Sequence, residues 1–115
     1  MAVTIYHNPR CSKSRETLAL LEKNSIEPEI IEYLKNPLNT EQISTLVKLL
    51  ELDSARDMMR TKEDLYKTLA LKAQTNEEEL IKAMAENPKL IERPIVINGN
   101  KAAIGRPPEN VLSVL

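Results

Sequence analysis

The 115-residue sequence predicts an α/β domain built on a small four-stranded sheet of mixed strand direction, with an inserted block of helices. Two short strands flank a helix near the N-terminus, and this β-α-β order implies a parallel strand pair with a right-handed crossover. Two further strands near the C-terminus have the pattern of a hairpin, and the segment that precedes them has helical periodicity. One compact domain is expected at this length, with 42% hydrophobic residues for its core.

The β-α-β unit is recognised from its hydrophobic periods. Residues 2–7 alternate apolar and polar side chains, as in a half-buried strand. Residues 12–23 carry apolar side chains at helical spacing, and Asn24 is suited to end that helix. A second strand is expected over residues 29–33.

The middle of the chain contains start signals for several helices. Asn39 and Gln42 have the spacing of a capping box, in which two side chains satisfy backbone N–H groups at a helix start. Thr75 and Glu78 predict a second capping box farther along the chain. Residues 63–69 predict a short helix between these two signals.

The last quarter of the chain predicts a hairpin. Asn98-Gly99-Asn100 lies between two β-prone runs, residues 95–97 and 101–104. An Asn-Gly pair favours a type I′ turn, because both central residues of that turn need positive φ. A terminal helix is then expected to start at Pro107-Pro108.

Composition excludes several classes of function. The net charge of −1 provides no global field to attract nucleic acid or an anionic membrane, so any basic site must be local. No apolar run approaches the ~20 residues that cross a bilayer, and the N-terminus has the pattern of a strand, so a cytoplasmic location is expected. One histidine and one cysteine are too few for a conventional zinc site, and no tightly bound cofactor is expected.

Cys11 is the only cysteine, and it follows a proline turn at the predicted start of the first helix. Helix N–H groups and the neighbouring Arg10, Lys13 and Arg15 favour its thiolate, the nucleophilic form. A small buried hydrophobe is the alternative interpretation, but polar and charged neighbours favour the reactive one. A lone cysteine cannot form an internal disulfide, so redox chemistry would need a thiol from another molecule.

Three arginines lie at junctions between predicted elements. Arg60 follows a short helix, Arg93 precedes Pro94 at the third strand, and Arg106 follows the fourth strand. Each of them alone would be interpreted as a solvated surface arginine. If the hairpin is tight, Arg93 and Arg106 lie at one end of the sheet. If the loop of Cys11 is also there, the guanidinium groups would suit a tetrahedral oxyanion.

His7 lies four residues before Cys11, so a Cys–His nucleophile pair is one interpretation. The other is a histidine that braces the loop, because no obvious third group would orient the ring. The spacing differs from the phosphatase pattern Cys-x5-Arg, since Thr17 occupies the position of the arginine. This argues against phosphate monoester hydrolysis by that route.

Three segments together, residues 5–15, 92–96 and 105–107, resemble the glutaredoxin-coupled arsenate reductase family, and the similarity covers essentially the whole chain. The resemblance implies a single thioredoxin-like domain over residues 1–115, with a helical insertion at about 36–90. It implies that Cys11 attacks the arsenic of arsenate or a similar oxyanion. The residues that it implies around Cys11 are the oxyanion ligands Arg60, Arg93 and Arg106 and the supporting residues His7, Ser14, Arg15 and Pro94.

The resemblance also implies the partners of the reaction. Glutathione would act as co-substrate and displace the adduct, glutaredoxin would resolve the mixed species, and arsenite would leave. Pro94 would match the cis-proline that borders the active site in thioredoxin-like folds. A monomer is expected.

Two other functions stay open at this point. One is a glutathione-dependent thiol oxidoreductase with another substrate. The other is a non-enzymatic thioredoxin-like regulator that binds RNA polymerase. Such regulators sense oxidants through a Cys-x-x-Cys pair, and this chain has Ser14 where the second cysteine would be. The regulator also predicts loss of the oxyanion arginines, which this sequence retains.

Overall fold

The structure is a computed structural model, and it describes residues 3–115. The chain divides into two compact units. The first unit comprises the residues up to Asn36 together with Arg93–Leu115, and the second comprises Pro37–Glu92. Residue 2, which the sequence assigns to the first strand, lies outside the described residues. Between residues 3 and 115, no helix is long and apolar enough to cross a membrane.

The first unit contains a four-stranded sheet with the spatial order β2-β1-β3-β4. Strand β1 (Val3–Tyr6) pairs in parallel with β2 (Glu29–Ile31), and helix α1 (Ser12–Lys23) connects them. Strand β3 (Ile95–Asn98) pairs antiparallel with β1 and with β4 (Lys101–Ile104). This is the mixed four-stranded sheet of a thioredoxin-like fold, so the predicted fold class is confirmed.

Helix α1 has the predicted bounds, and Asn24 caps its C-terminus as expected. Strand β2 is shorter than predicted, because the chain turns after Ile31. The N–H groups of Lys35 and Asn36 both donate to the carbonyl of Glu32, each at 3.0 Å, which ends the extended conformation.

The core of the first unit is aliphatic. It lies between the sheet, α1 and a C-terminal 3-10 helix over Pro108–Val114, where the sequence predicts a terminal helix. Burying a side chain of this size stabilises the folded protein by about 1.5–3 kcal/mol relative to leaving it exposed to water. The buried cluster consists of Val3, Ile5, Leu21, Val96, Val111 and Val114.

The hairpin is formed as predicted, but its turn differs. Asn98 pairs with Lys101, so the two central residues are Gly99 and Asn100. Only Gly99 has positive φ, at 63°, and a turn with glycine and positive φ at the first central position is of type II′. The predicted type I′ turn is wrong because Asn98 stays in the strand, where its Nδ2 donates to the carbonyl of Val114 at 2.7 Å.

The second unit contains helices α2 (Thr40–Leu49), α3 (Asp64–Thr68) and α4 (Glu77–Glu86), joined by short 3-10 turns. The capping box at α2 is confirmed. The N–H of Gln42 donates to Asn39 Oδ1 at 2.8 Å, and the N–H of Asn39 donates to Gln42 Oε1 at 2.9 Å.

The predicted capping box at Thr75 is wrong by one residue. Asn76 is the N-cap of α4, and its Oδ1 accepts from the N–H of Glu79 at 3.1 Å. Asn is a stronger N-cap than Thr. The first helical residue, Glu77, is also fixed from outside the helix, because its carboxylate accepts from the N–H of Ala55 at 2.7 Å.

We therefore expect Asn76→Ala to lower the free energy of unfolding by about 1 kcal/mol, because one N–H at the start of α4 loses its acceptor. Thr75→Ala is the matched control, and its effect should stay within about 0.5 kcal/mol. Urea denaturation of both variants and the wild type measures this difference. A larger loss for Thr75→Ala than for Asn76→Ala would contradict the observed cap.

Candidate active site

The loop between β1 and α1 is a tight turn that presents Cys11 at the helix start. The N–H of Cys11 donates to the carbonyl of Asn8 at 3.0 Å, and the N–H of Arg10 donates to Asn8 Oδ1 at 3.0 Å. Cys11 is the N-cap of α1, with φ −93° and ψ 126°. Its thiol therefore lies where the first N–H groups of the helix have no intrahelical partner.

The surroundings of Cys11 favour its thiolate. Burial raises the pKa of the Cys11 thiol, but hydrogen bonds and positive charges outweigh this effect and hold the pKa below its ordinary value. The backbone N–H groups of Ser14 and Lys13, at the start of α1, lower the pKa of the thiol. The charge of Arg93 lowers the pKa further, and so does Arg106, whose Nη2 lies 3.8 Å from Cys11 Sγ.

The cations adjacent in sequence have other roles. The ammonium group of Lys13 lies 3.5 Å from the carboxylate of Glu16, and Nη1 of Arg15 donates to the carbonyl of Pro9 at 2.9 Å. The charges that lower the pKa of Cys11 belong to Arg93 and Arg106, not to the neighbours from which the sequence predicts the effect. Lys13 acts on the thiol through its backbone N–H.

Arg93 and Arg106 meet at one end of the sheet, as predicted. Nε of Arg106 donates to the carbonyl of Arg93 at 2.9 Å. Nε and Nη1 of Arg93 are buried and have no hydrogen-bond partner among the described residues. The Arg93–Pro94 peptide bond is cis, as the resemblance to the arsenate reductase family implies, and Arg106–Pro107 is cis as well.

Gly105 lies where the chain segments of the site approach most closely. A Cβ atom at this position would lie 2.6 Å from Oγ1 of Thr17 and 2.8 Å from Cγ of Pro94. Thr17 is fully buried on α1, and the N–H of Gly105 donates to the carbonyl of Pro94 at 2.8 Å. The absence of a side chain at Gly105 thus lets the segment of Arg106 lie against both α1 and the segment of Arg93.

The helical spacing of the sequence places Thr17 only on a face of α1, and no sequence pattern indicates a role for Gly105. The only feature of the sequence that points to Gly105 is its composition, since the chain has just two glycines and one of them precedes Arg106. That signal does not identify the contacting residues, because Thr17 and Gly105 are far apart in sequence.

His7 braces the loop. Its Nδ1 lies 2.6 Å from Oγ of Ser14, and the same oxygen accepts from the N–H of Asn8 at 3.0 Å. Because Ser14 Oγ accepts from Asn8, its own proton is assigned to His7 Nδ1, which leaves the ring proton on Nε2. Burial and the charge of Arg15 lower the pKa of His7, and they outweigh the charge of Glu32, which raises it. The pKa is therefore below its ordinary value, which favours the neutral ring. This network favours the bracing interpretation over a Cys–His pair.

Arg60 belongs to the second unit, and its contacts there are well defined. Its N–H donates to the carbonyl of Leu90 at 2.7 Å, and its Nη1 lies 2.9 Å from Oε2 of Glu63. The other predicted residues of the site, with Cys11 among them, belong to the first unit. Among residues 3–115, no group of three or more potential metal ligands occurs.

A cysteine at the N-cap of α1 beside two arginines, on a sheet of this topology, defines a thioredoxin-like protein with a candidate nucleophile at Cys11. The ArsC family model matches residues 6–114, and the chain belongs to that family.

Individual relatives agree with this assignment. The chain is 57% identical over 114 residues to the uncharacterized protein YfgD of Escherichia coli strain K12, with 98% of this chain and 96% of that protein covered. It is 55% identical over 116 residues to an arsenate reductase of Haemophilus influenzae, with 100% of both chains covered. The solved structure of an arsenate reductase from Vibrio cholerae has a TM-score of 0.97 and 54% identity, covering 100% of this chain and 98% of that one.

We expect the absorbance of the thiolate, followed against pH, to give a Cys11 pKa below that of an ordinary cysteine. Arg106→Ala should raise this pKa, because it removes a charged donor from the sulfur. Sulfate should raise it as well, since a second anion opposes the thiolate. Arg10→Ala is the control and should leave the pKa nearly unchanged. An ordinary pKa in the wild type would contradict the activated thiolate.

The same shift makes stability depend on pH. The pKa of Cys11 is lower in the folded than in the unfolded chain, so the thiolate stabilises the native state. This contribution is complete above the unfolded pKa and is lost as pH falls through the folded pKa. The difference in unfolding free energy between wild type and Cys11→Ser should therefore grow in favour of the wild type as pH rises.

Gly105→Ala is expected to lower the free energy of unfolding by about 1–3 kcal/mol, because the new Cβ overlaps with Thr17 and Pro94. It should also weaken sulfate binding, which can be measured through the shift in Cys11 pKa. Adding Thr17→Ala removes the contact between the new Cβ and Thr17 Oγ1. The double variant should therefore lose less unfolding free energy than the sum of the losses in the two single variants. Additive losses of unfolding free energy would mean that the contact with Thr17 does not limit how closely the segment of Gly105 approaches α1.

Proposed function

We propose that this protein reduces arsenate to arsenite through a thiol–arsenate adduct on Cys11, with glutathione and glutaredoxin as electron donors. The observation that supports this most is the state of Arg93. Two of its nitrogen atoms, Nε and Nη1, are buried without a hydrogen-bond partner in the described part of the chain, and its charge acts on Cys11. Buried unpaired donors are costly, so an oxyanion that accepts their hydrogen bonds is favoured at this position.

In the first step, the Cys11 thiolate attacks the arsenic atom. A sulfur–arsenic bond forms, one arsenic–oxygen bond breaks, and the departing oxygen leaves as water after protonation. Arsenic keeps its oxidation state in this step. Arg93 and Arg106 hold the remaining oxygens, and each guanidinium presents a planar set of donors suited to two of them.

Reduction needs two thiols from outside the protein, because the chain has a single cysteine. Overall, one molecule of arsenic acid and two thiols give one molecule of arsenous acid, one disulfide and one water. The two sulfur atoms supply the two electrons that convert pentavalent to trivalent arsenic. With glutathione and glutaredoxin as the thiols, the product is their mixed disulfide, and Cys11 returns to a thiolate. A cytoplasmic setting is part of the proposal, because reduced thiols are maintained there.

Relatives named arsenate reductase support the substrate, with identities of 55% and 54% over nearly whole chains. Arg60 is proposed as a third oxyanion ligand on the resemblance of the sequence. Because its guanidinium already pairs with Glu63, its loss should cost less activity than the loss of Arg93.

A coupled assay tests the proposal, with NADPH, glutathione reductase, glutaredoxin and glutathione present. NADPH consumption should depend on arsenate and vanish in Cys11→Ser, whose hydroxyl is a much weaker nucleophile at neutral pH. Arg93→Ala and Arg106→Ala should each lose about 2–4 kcal/mol of transition-state stabilisation. Lysine at either position should not restore full activity, since it lacks the planar set of donors.

Lys23→Ala is the matched control, since it removes a cation from the opposite end of α1, and it should retain wild-type rates. A wild-type rate for Cys11→Ser would remove Cys11 from the mechanism. Normal kinetics with a large loss of stability in the arginine variants would mean that they are structural residues.

A further inference from the structure

A cavity of about 260 Å³ lies beside the loop that presents Cys11. Loop residues 7–10 form one wall, and Glu32, Leu34 and Lys35 from the segment after β2 form the other. Both walls belong to the first unit. None of the proposed reaction steps at Cys11 uses this cavity.

His7 lines this cavity, and one of its ring nitrogens has no protein partner in the described part of the chain. His7 is only 6% exposed, and its Nδ1 is occupied by Ser14. The remaining ring nitrogen, Nε2, carries the proton and has no hydrogen-bond partner among residues 3–115. Because His7 lines the cavity, a ligand bound there could accept a hydrogen bond from Nε2.

The charges around the cavity define the class of ligand. Arg10 supplies an exposed cation on the loop side, and Lys35 supplies another on the opposite side, 3.5 Å from the carboxylate of Glu32. Two cations and the Nε2–H of His7 suit carboxylate groups, whereas Glu32 suits an ammonium group. Leu34, 39% exposed, adds an apolar surface. A small peptide with carboxylates and an α-ammonium group complements this set.

We propose that this cavity binds the carboxylate-bearing peptide thiol that releases the Cys11 adduct, the class to which glutathione belongs. This inference rests on the proposed function. The cavity wall and the nucleophile share one turn, because the N–H of Cys11 donates to the carbonyl of Asn8. A tripeptide spans about 10 Å when extended, so a peptide thiol that occupies this cavity lies close to the turn of Cys11.

Binding can be tested with S-methylglutathione, which keeps the charges of glutathione but forms no disulfide. His7 is the only histidine, so its ring resonances in an NMR spectrum are unambiguous. S-methylglutathione should shift these resonances in a saturable manner. Lys35→Glu should weaken the apparent affinity about threefold to tenfold, as expected for a reversed rim charge. Lys101→Glu makes the same change on β4 and should leave the affinity unchanged.

Kinetics provide the second readout. In Lys35→Glu, the KM for glutathione should rise about threefold to tenfold, whereas the KM for arsenate and the rate with the uncharged thiol 2-mercaptoethanol should stay within about twofold. Absence of a saturable shift, or equal KM changes for both thiols, would overturn the proposal. If the wild type reduces no arsenate with either thiol, the proposed function fails, and the S-methylglutathione titration still decides whether the cavity binds the peptide.

Discussion

The close approach at Gly105 is the constraint on which the site depends. Helix α1 carries the nucleophile, and the segments that contain Arg93 and Arg106 come from the far end of the sequence. These segments meet where Gly105 packs against Thr17 and Pro94, at distances that leave no room for a side chain. Because the two antiparallel strands and the helix are already fixed by the aliphatic core, the contact at Gly105 sets the spacing between thiol and guanidinium groups.

Charge balance explains why the site needs more than one arginine. A thiolate attracts a cation but repels an oxyanion. A single arginine could therefore stabilise the thiolate and still leave the binding of an oxyanion unfavourable. Arg106 lies beside Cys11 Sγ and also donates to the carbonyl of Arg93. Arg93 contributes charge to the thiolate and retains two buried donors for a second anion. In the proposed reaction, the two arginines together hold the thiolate and the oxyanion at once.

Local signals made much of this structure predictable from the sequence. The bounds of α1, the box of Asn39 and Gln42, and the hairpin after Pro94 follow from short-range patterns. The predictions that are wrong concern positions fixed by distant contacts. Asn98 stays in β3 because its side chain reaches Val114, and α4 starts at Glu77, which binds Ala55. The candidate site shows the same contrast. The position of Cys11 at the start of α1 was predictable from its loop, whereas the role of Gly105 required the contact with Thr17.

A crystal structure of the protein exposed to arsenate without any thiol tests the central claim most directly. The account predicts arsenic covalently attached to Cys11 Sγ, with arsenate oxygens accepting hydrogen bonds from Nε and Nη1 of Arg93 at about 2.7–2.9 Å. Arsenate bound elsewhere on the protein, with these two nitrogen atoms still without a partner, would contradict it.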